Sequence, residues 1–294
     1  MRIPADAAAT LVAVLDEGGM EAAASRLHIT PSAVSQRIKA LEEQVGRVLL
    51  VRARPVRPTA AALPIIRYAR QTALLEQEAL AQLGNDAGGY TSIPLAVNAD
   101  SLATWLLAPL ARLSARHPVV FDLHRDDQDH TAALLEAGTV LGAITSRHTP
   151  IAGCRVTPLG MLRYEAVAAP AVVAEWFADG VTTSALEAAP IVDFDRRDDL
   201  QTRWLVAHGA DAQHPPRHRI PASQDFAAAV LLGLGWALLP RLQSQQALDD
   251  GRLVPLGGQP VDVALYWQQW NLRSDLLDEI SDEVVGEARR VLAM

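Results

Sequence analysis

Gly19-Met-Glu-Ala-Ala-Ala-Ser-Arg-Leu-His-Ile-Thr-Pro-Ser-Ala-Val-Ser-Gln-Arg-Ile-Lys-Ala-Leu-Glu42 is the stretch whose reading decides the fold. Its first part, Glu21 to Leu27, is a short helix of small side chains that can pack closely on a neighbour. His28-Ile-Thr30 makes a tight turn. Thr30-Pro31-Ser32 then starts a new helix, with a hydroxyl as N-cap and a proline whose fixed φ and missing N–H suit the first helical position. From Pro31 to about Val45, Ala33, Val34, Ile38, Leu41 and Val45 share one side, while Ser32, Ser35, Gln36, Arg37 and Lys39 share the other. Upstream, residues 5–17 place Ala8, Leu11, Val12, Val14 and Leu15 at helical spacing. Gly18-Gly19 ends that helix, because glycine turns cheaply at positive φ. Downstream, Val48 to Arg52 and Arg54 to Arg57 read as a small basic hairpin wing.

Two short helices, a turn and a polar-faced third helix make a helix-turn-helix. Ser32, Ser35 and Gln36 lie near the start of the third helix, where side chains reach base edges, glutamine being suited to adenine. Arg37 and Lys39, with Arg52 and Arg54 of the wing, are placed to neutralise phosphates. The charge agrees. The chain carries a net −8, yet residues 1–70 sum to +4 and the remainder to −12. A basic head on an acidic body points to an anion-binding module joined to a body that repels DNA.

Length and composition set the frame. At 294 residues, half of them apolar and a fifth charged, the chain is globular and suits two or three modest domains. No apolar run reaches the roughly 18 residues of a membrane-spanning helix. The start, Met1-Arg-Ile-Pro-Ala-Asp6, lacks the greasy core of a signal peptide, so the expectation is a cytoplasmic protein with no membrane partner. One cysteine, Cys154, excludes a disulfide framework and a Cys-cluster metal site.

Thr59 can cap a long helix running to about Leu83, with Leu63, Ile66, Leu74, Leu75, Leu80 and Leu83 as an apolar stripe. At about 1.5 Å per residue it is roughly 36 Å long. A second chain is the economical cover for that stripe, with Pro64 bending the first turns slightly. Gly84 to Gly89 reads as a hinge. From Ile93, strands at 93–98, 119–125, 139–145, 163–169, 190–194, 235–239 and 261–267 alternate with helices at 101–116, 129–137, 171–178, 198–207, 223–232, 240–248 and 274–292. That alternation implies parallel α/β sheets. Ligands of such sheets sit beyond the carboxyl ends of the strands. The first strand ends at Asn98-Ala-Asp100-Ser101, the second at Arg125-Asp126, and the third at Thr145. Acids there suit a cationic group and a helix start suits an anionic one. An amino acid carries both, and a basic one uses two acids.

The run from Gly19 to Glu42 closely resembles the DNA-binding segment of LysR-type transcriptional regulators. Met20 stands where an aromatic residue is usual, and Ala62 where the long helix usually has glycine. The resemblance implies an α/β protein with an N-terminal winged helix-turn-helix (1–58), a long dimerising linker helix (59–84), a hinge (85–91) and a two-lobed effector domain like a periplasmic binding protein (92–294). Lobe I would be 92–162 with 268–294, and lobe II 163–267. Val97-Asn-Ala-Asp-Ser-Leu-Ala-Thr-Trp-Leu106, Asp126-Asp-Gln-Asp-His-Thr131, Gly142-Ala-Ile-Thr145 and Leu265-Tyr-Trp-Gln268 resemble the ArgP- and LysG-like branch. That likeness implies a homodimer or homotetramer on an imperfect palindrome in double-stranded DNA, acting with RNA polymerase. It also implies a response to lysine, arginine or histidine, and activation of an exporter gene for basic amino acids. By position, Asp126 is the expected contact for the ammonium or guanidinium group. Asn98, Asp100, Ser101 and Thr145 belong to the first lobe's wall, and Asp193 and Ser223 complete the site from the second.

Other signals are weaker. His208, His214 and His218 lie in a proline-rich loop without a scaffold for a metal, and Gly233-Leu-Gly235 lacks the third glycine of a dinucleotide loop. No catalytic signature is present, so the expectation is a non-enzyme without a cofactor. The rival reading is a solute-binding protein or enzyme carrying an incidental N-terminal bundle.

Overall fold

The computed structural model describes residues 2–51, 53–83, 89–125 and 128–293. Arg52, Asp126 and most of the expected hinge lie outside the described residues. Helices α1 (Ala5–Asp16), α2 (Met20–Arg26) and α3 (Pro31–Val45) bury Ala8, Leu11, Val14, Val34, Ile38 and Leu41 in one small core. The α3 start is built as its sequence requires: the Thr30 hydroxyl accepts from Ala33 N–H at 3.2 Å, with Pro31 next, and Gly46 at φ 68° ends the helix. Gly18 at φ 71° turns the chain out of α1. The wing is a short antiparallel ribbon of β1 (Leu50–Val51) and β2 (Arg57–Pro58). Glu42 of α3 fixes its entry by accepting from Leu49 N–H at 2.7 Å.

Helix α4 (Leu63–Gln82) follows. Thr59 is not its cap. The Thr59 hydroxyl donates instead to the Val48 carbonyl at 2.8 Å, tying the wing to the helix entry. Ile65, Ile66 and Ala69 join the core of the N-terminal head, whereas Leu74 joins the core of the body. Tyr68, Leu75, Leu80 and Leu83 remain exposed.

The body starts with β3 (Thr91–Val97), α5 (Ala99–Thr104), α6 (Leu107–Arg116), β4 (Val119–Arg125), α7 (Gln128–Glu136) and β5 (Gly142–Thr145). The single helix expected at 101–116 is therefore two, broken at Trp105 and Leu106, which turn inward and are buried. Next come β6 (Cys154–Ala168), α8 (Pro170–Trp176), α9 (Thr183–Ala188), β7 (Ile191–Asp193), α10 (Leu200–Ala207), β8 (Arg217–Arg219) and α11 (Ser223–Leu231). The chain ends with β9 (Ala237–Pro240), α12 (Arg241–Asp249), β10 (Val254–Pro255), β11 (Val261–Trp270) and α13 (Asp275–Val291).

The sheets are mixed rather than parallel throughout. β3 pairs in parallel with β4 and β5, and β7 with β8, but β6 and β11 form a long antiparallel ribbon from Tyr164↔Val261 to Cys154↔Trp270. That ribbon carries β5, β3 and β4 toward one end and β9 and β10 on β6 toward the other, so one continuous sheet passes between two α/β regions. Alternation of apolar segments reports strands and helices, not strand direction, which is why the antiparallel ribbon was missed. Gly235 is required where it stands: a Cβ there would meet the Pro190 carbonyl at 2.4 Å, beside β7.

Candidate functional site

The polar side of α3 is free to meet a ligand. Ser32, Ser35, Gln36 and Lys39 are exposed on it, and Arg54 and Arg57 are exposed on the wing. Lys39 reaches Glu43 at 3.7 Å, an exposed i,i+4 pair that a phosphate can replace at small cost. Arg37 behaves differently from the sequence expectation. Its guanidinium donates to the Thr10 hydroxyl at 3.3 Å and lies 4.0 Å from Asp6, so it braces α3 against α1. Arg26, between Asp16 and Glu17, and Arg70, on Asp16 at 2.6 Å, tie the head together and to α4.

The second site is a cavity of about 750 Å³ between the two α/β regions. Asn98, Asp100, Arg125 and Ser146 line it from the ends of β3, β4 and β5. Tyr164 of β6, Asp262 of β11, Asp195 and Arg197 to Leu200 of the segment after β7, and Phe226 of α11 also line it. Phe194 and Phe226 meet edge-on, with centroids 6.3 Å apart.

Asp100 is a half-buried bridge across this cleft. It accepts from the Tyr164 hydroxyl at 2.6 Å and from the Ser223 hydroxyl at 2.8 Å, and Gln224 reaches the Ala103 carbonyl at 2.9 Å beside it. Burial raises the Asp100 carboxyl above its ordinary range despite those two bonds, which pull the other way. Asp198 accepts from Leu200 N–H at 3.0 Å and Phe194 N–H at 3.3 Å. Burial, with the charges of Asp193 and Asp100 adding to it, pushes Asp198 up to about 6 against those backbone bonds. Among the described residues neither carboxylate has a cation as partner. Asp262 and Asp199 do: Arg163 holds the first at 2.8 Å and Arg203 the second at 3.1 Å.

Polar atoms without a partner mark the same cleft. Both amide atoms of Asn98, 3 % exposed, are buried and unbonded, and so is the Ser101 hydroxyl. Ser101 and Thr145 lie fully buried behind the wall, where Thr145 accepts from Arg147 N–H at 3.1 Å. Asp193 does not face the cleft. Arg217 donates to both its oxygens at 2.9 Å, and the pair is buried under α11. Sequence reading thus found Asn98, Asp100 and, through its bond to Asp100, Ser223. It missed Asp198 and Tyr164. Asp198 was legible as part of the run Asp195-Arg-Arg-Asp-Asp199 beyond a strand end; Tyr164, inside an apolar strand, gave no signal.

The body also holds the linker helix. Arg67 of α4 lies over the Trp270 ring at 4.2 Å and donates to the Glu136 carbonyl at 2.9 Å. Gly138, at φ 71°, allows this approach, since a Cβ would meet Arg67 at 2.9 Å. Glu78 accepts from Ser274 Oγ at 2.5 Å and Leu276 N–H at 3.1 Å, at the start of α13. The remaining weak signals resolve into packing. His208 stacks on Trp204 with centroids 3.7 Å apart, and burial pushes the Cys154 thiol up to about 11, away from reactivity.

Comparisons with known proteins give both parts of the chain a family. The bacterial regulatory helix-turn-helix model of the lysR family matches residues 6–63, and the LysR substrate binding domain model matches residues 91–288. The regulator LysG of Mycobacterium tuberculosis (strain ATCC 25618 / H37Rv) is 46% identical over 281 residues, covering 95% of this chain and 92% of the relative. The lysine export transcriptional regulatory protein LysG of Corynebacterium efficiens is 42% identical, over 95% of this chain and 96% of its own. Full-length LysG of Corynebacterium glutamicum with bound effector Arg superimposes with a TM-score of 0.79 at 36% identity, over 99% of this chain and 100% of that one. This chain therefore belongs to the LysR family, as a DNA-binding transcriptional regulator of the LysG and ArgP type and not an enzyme.

Proposed function

We propose that this regulator senses a basic amino acid, arginine, lysine or histidine, in its inter-lobe cleft and switches on an exporter gene for it. The observation that carries this reading is the pair of half-buried carboxylates, Asp100 and Asp198, that face one cavity with no ion-pair partner for either among the described residues. Ionised acids in a low-dielectric site are held at a cost that a bound cation removes. The effector named with the Corynebacterium glutamicum structure, and the export role named for the Corynebacterium efficiens relative, support the same direction.

In this reading two copies, joined along the exposed leucines of α4 and paired further into tetramers, work in the cytoplasm on an imperfect palindrome. Ser32, Ser35 and Gln36 read bases, while Lys39, Arg54 and Arg52 meet phosphates. Arg37 assists by holding α3 in place. The effector acts through its difference in affinity between two lobe arrangements, which moves the DNA-binding heads and changes access for RNA polymerase. Calorimetry of the full-length protein with arginine, lysine and histidine, beside output from its own upstream promoter, tests the proposal. Binding of at least one of them with increased output supports it. No binding and unchanged output overturn it.

A further inference from the structure

The cleft separates its unpaired groups by lobe. Val97 of β3 is in register with Arg125 of β4, so Asn98 and Arg125 stand together at the carboxyl ends of neighbouring parallel strands. Arg125 lines the cavity, is exposed, and has no partner among the described residues. Asn98 lines it too, with a free amide nitrogen and a free amide oxygen, both buried. A donor pair and one acceptor at a single corner match the α-carboxylate and α-ammonium of an amino acid. Asp198 lines the cavity from the other lobe, on the segment after β7, where it offers a carboxylate to whatever projects across. Asp100 is less available, because its oxygens already accept from Tyr164 and Ser223. The neighbouring acids Asp199 and Asp262 are satisfied by Arg203 and Arg163.

We infer that Asp198 is the specificity-determining residue for the effector's side-chain cation, and that Asn98 and Arg125 hold the amino-acid head group. This rests on the basic-amino-acid reading of the cleft and adds the direction in which the effector lies. It also explains the Asn98 amide, which has no partner among the described residues.

The test uses the full-length protein, calorimetry, and three probes. Arginine carries all the groups, citrulline has a neutral side chain of the same shape, and agmatine lacks the carboxylate. Wild type is expected to favour arginine over citrulline and over agmatine by roughly 10–100-fold each, the worth of one charged hydrogen bond. Asp198→Asn should erase the arginine-over-citrulline preference and keep the preference over agmatine. Arg125→Gln should do the reverse. Asp198→Glu, which restores the charge one methylene further out, should recover discrimination against citrulline. Should Asp198→Asn fail to fold, the Arg125→Gln and Asp198→Glu arms decide the matter alone. Wild type that binds arginine while both Asp198 variants keep or both lose the same ratios overturns the inference and leaves the sensing role standing. Wild type that binds no basic amino acid overturns both.

Discussion

Replacing Arg217 by alanine separates a structural role for Asp193 from a ligand-binding one. Arg217 spans both Asp193 oxygens at 2.9 Å and also donates to the Ala212 carbonyl at 2.7 Å. The two side chains are 15% and 4% exposed. At 2.9 Å and an effective dielectric of about 20, such a pair attracts by roughly 6 kcal/mol before desolvation is subtracted. Removing one partner of a buried pair leaves an uncompensated charge and costs about 3–5 kcal/mol. For a body of this size each kcal/mol moves Tm by about 2–4 °C, so the loss should read as roughly 6–20 °C. Thermal unfolding followed by circular dichroism measures it. The double variant Asp193→Asn with Arg217→Met, which removes both charges, should recover most of the loss. A single-variant loss under about 1 kcal/mol, the worth of an exposed pair, would refute the argument. So would loss of effector binding in Asp193→Asn with its melting point unchanged.

Three further outcomes are expected. Gln36→Ala should relax base preference at one operator position by about 1–3 kcal/mol without moving Tm, whereas Lys39→Ala should lower the salt slope of DNA binding by about one, both read by anisotropy titration. Asp198, held near 6, makes binding of a cation pH-dependent: arginine affinity should be flat above pH 7 and fall about tenfold per unit below 6, as the carboxyl takes a proton, and citrulline should show no such fall. The sign for stability is opposite, because a raised acid favours the folded state when protonated; the ligand-free protein should lose stability as pH rises from about 4 through 6. Arg67→Ala removes the stacking on Trp270 and the bond to the Glu136 carbonyl, and should cost about 1–3 kcal/mol of linker docking, visible as faster amide exchange along α4 with the head's own core unchanged.

What the sequence made legible follows from how local each signal is. The helix-turn-helix rests on contacts within a few residues: a Thr30 hydroxyl three positions from its Ala33 amide, a glycine turn, and a fixed apolar side on α3. Such features are readable, and the serines and glutamine expected to meet bases stand exposed. The brace from Arg37 was not readable, because its partner, Thr10, lies 27 positions away on α1. The cleft mixes both cases. Asn98 and Asp100 end a strand and could be placed by topology, but the fates of Asp193 and Asp198, five positions apart on one segment, are set by remote partners. One meets Arg217 and is spent in the core; the other meets, among the described residues, backbone N–H groups alone. Composition cannot distinguish two aspartates whose difference is the presence of one arginine.

Coupling between the cleft and the DNA-binding head has a material route in this fold. Ser146 lines the cavity, and the next residue, Arg147, pairs with Glu136 at 3.0 Å. The Glu136 carbonyl accepts from Arg67 of the linker helix, whose first turns share a core with the head. Helix α7 therefore runs from just beyond Arg125, on the cleft, to the point where the linker docks. A route of contacts is not yet a switch; a switch needs two arrangements that the ligand distinguishes. The Asp100 bridge supplies the condition for one. Its bonds to Tyr164 and Ser223 join the two sides of the cleft, and burial disfavours its charged form. An effector cation placed nearby favours that charged form and strengthens both hydroxyl bonds, because hydrogen bonds to an ionised acceptor are the stronger kind. If the proposed cation binds beside it, the bridge tightens on binding, which is the differential affinity that a ligand-driven shift requires.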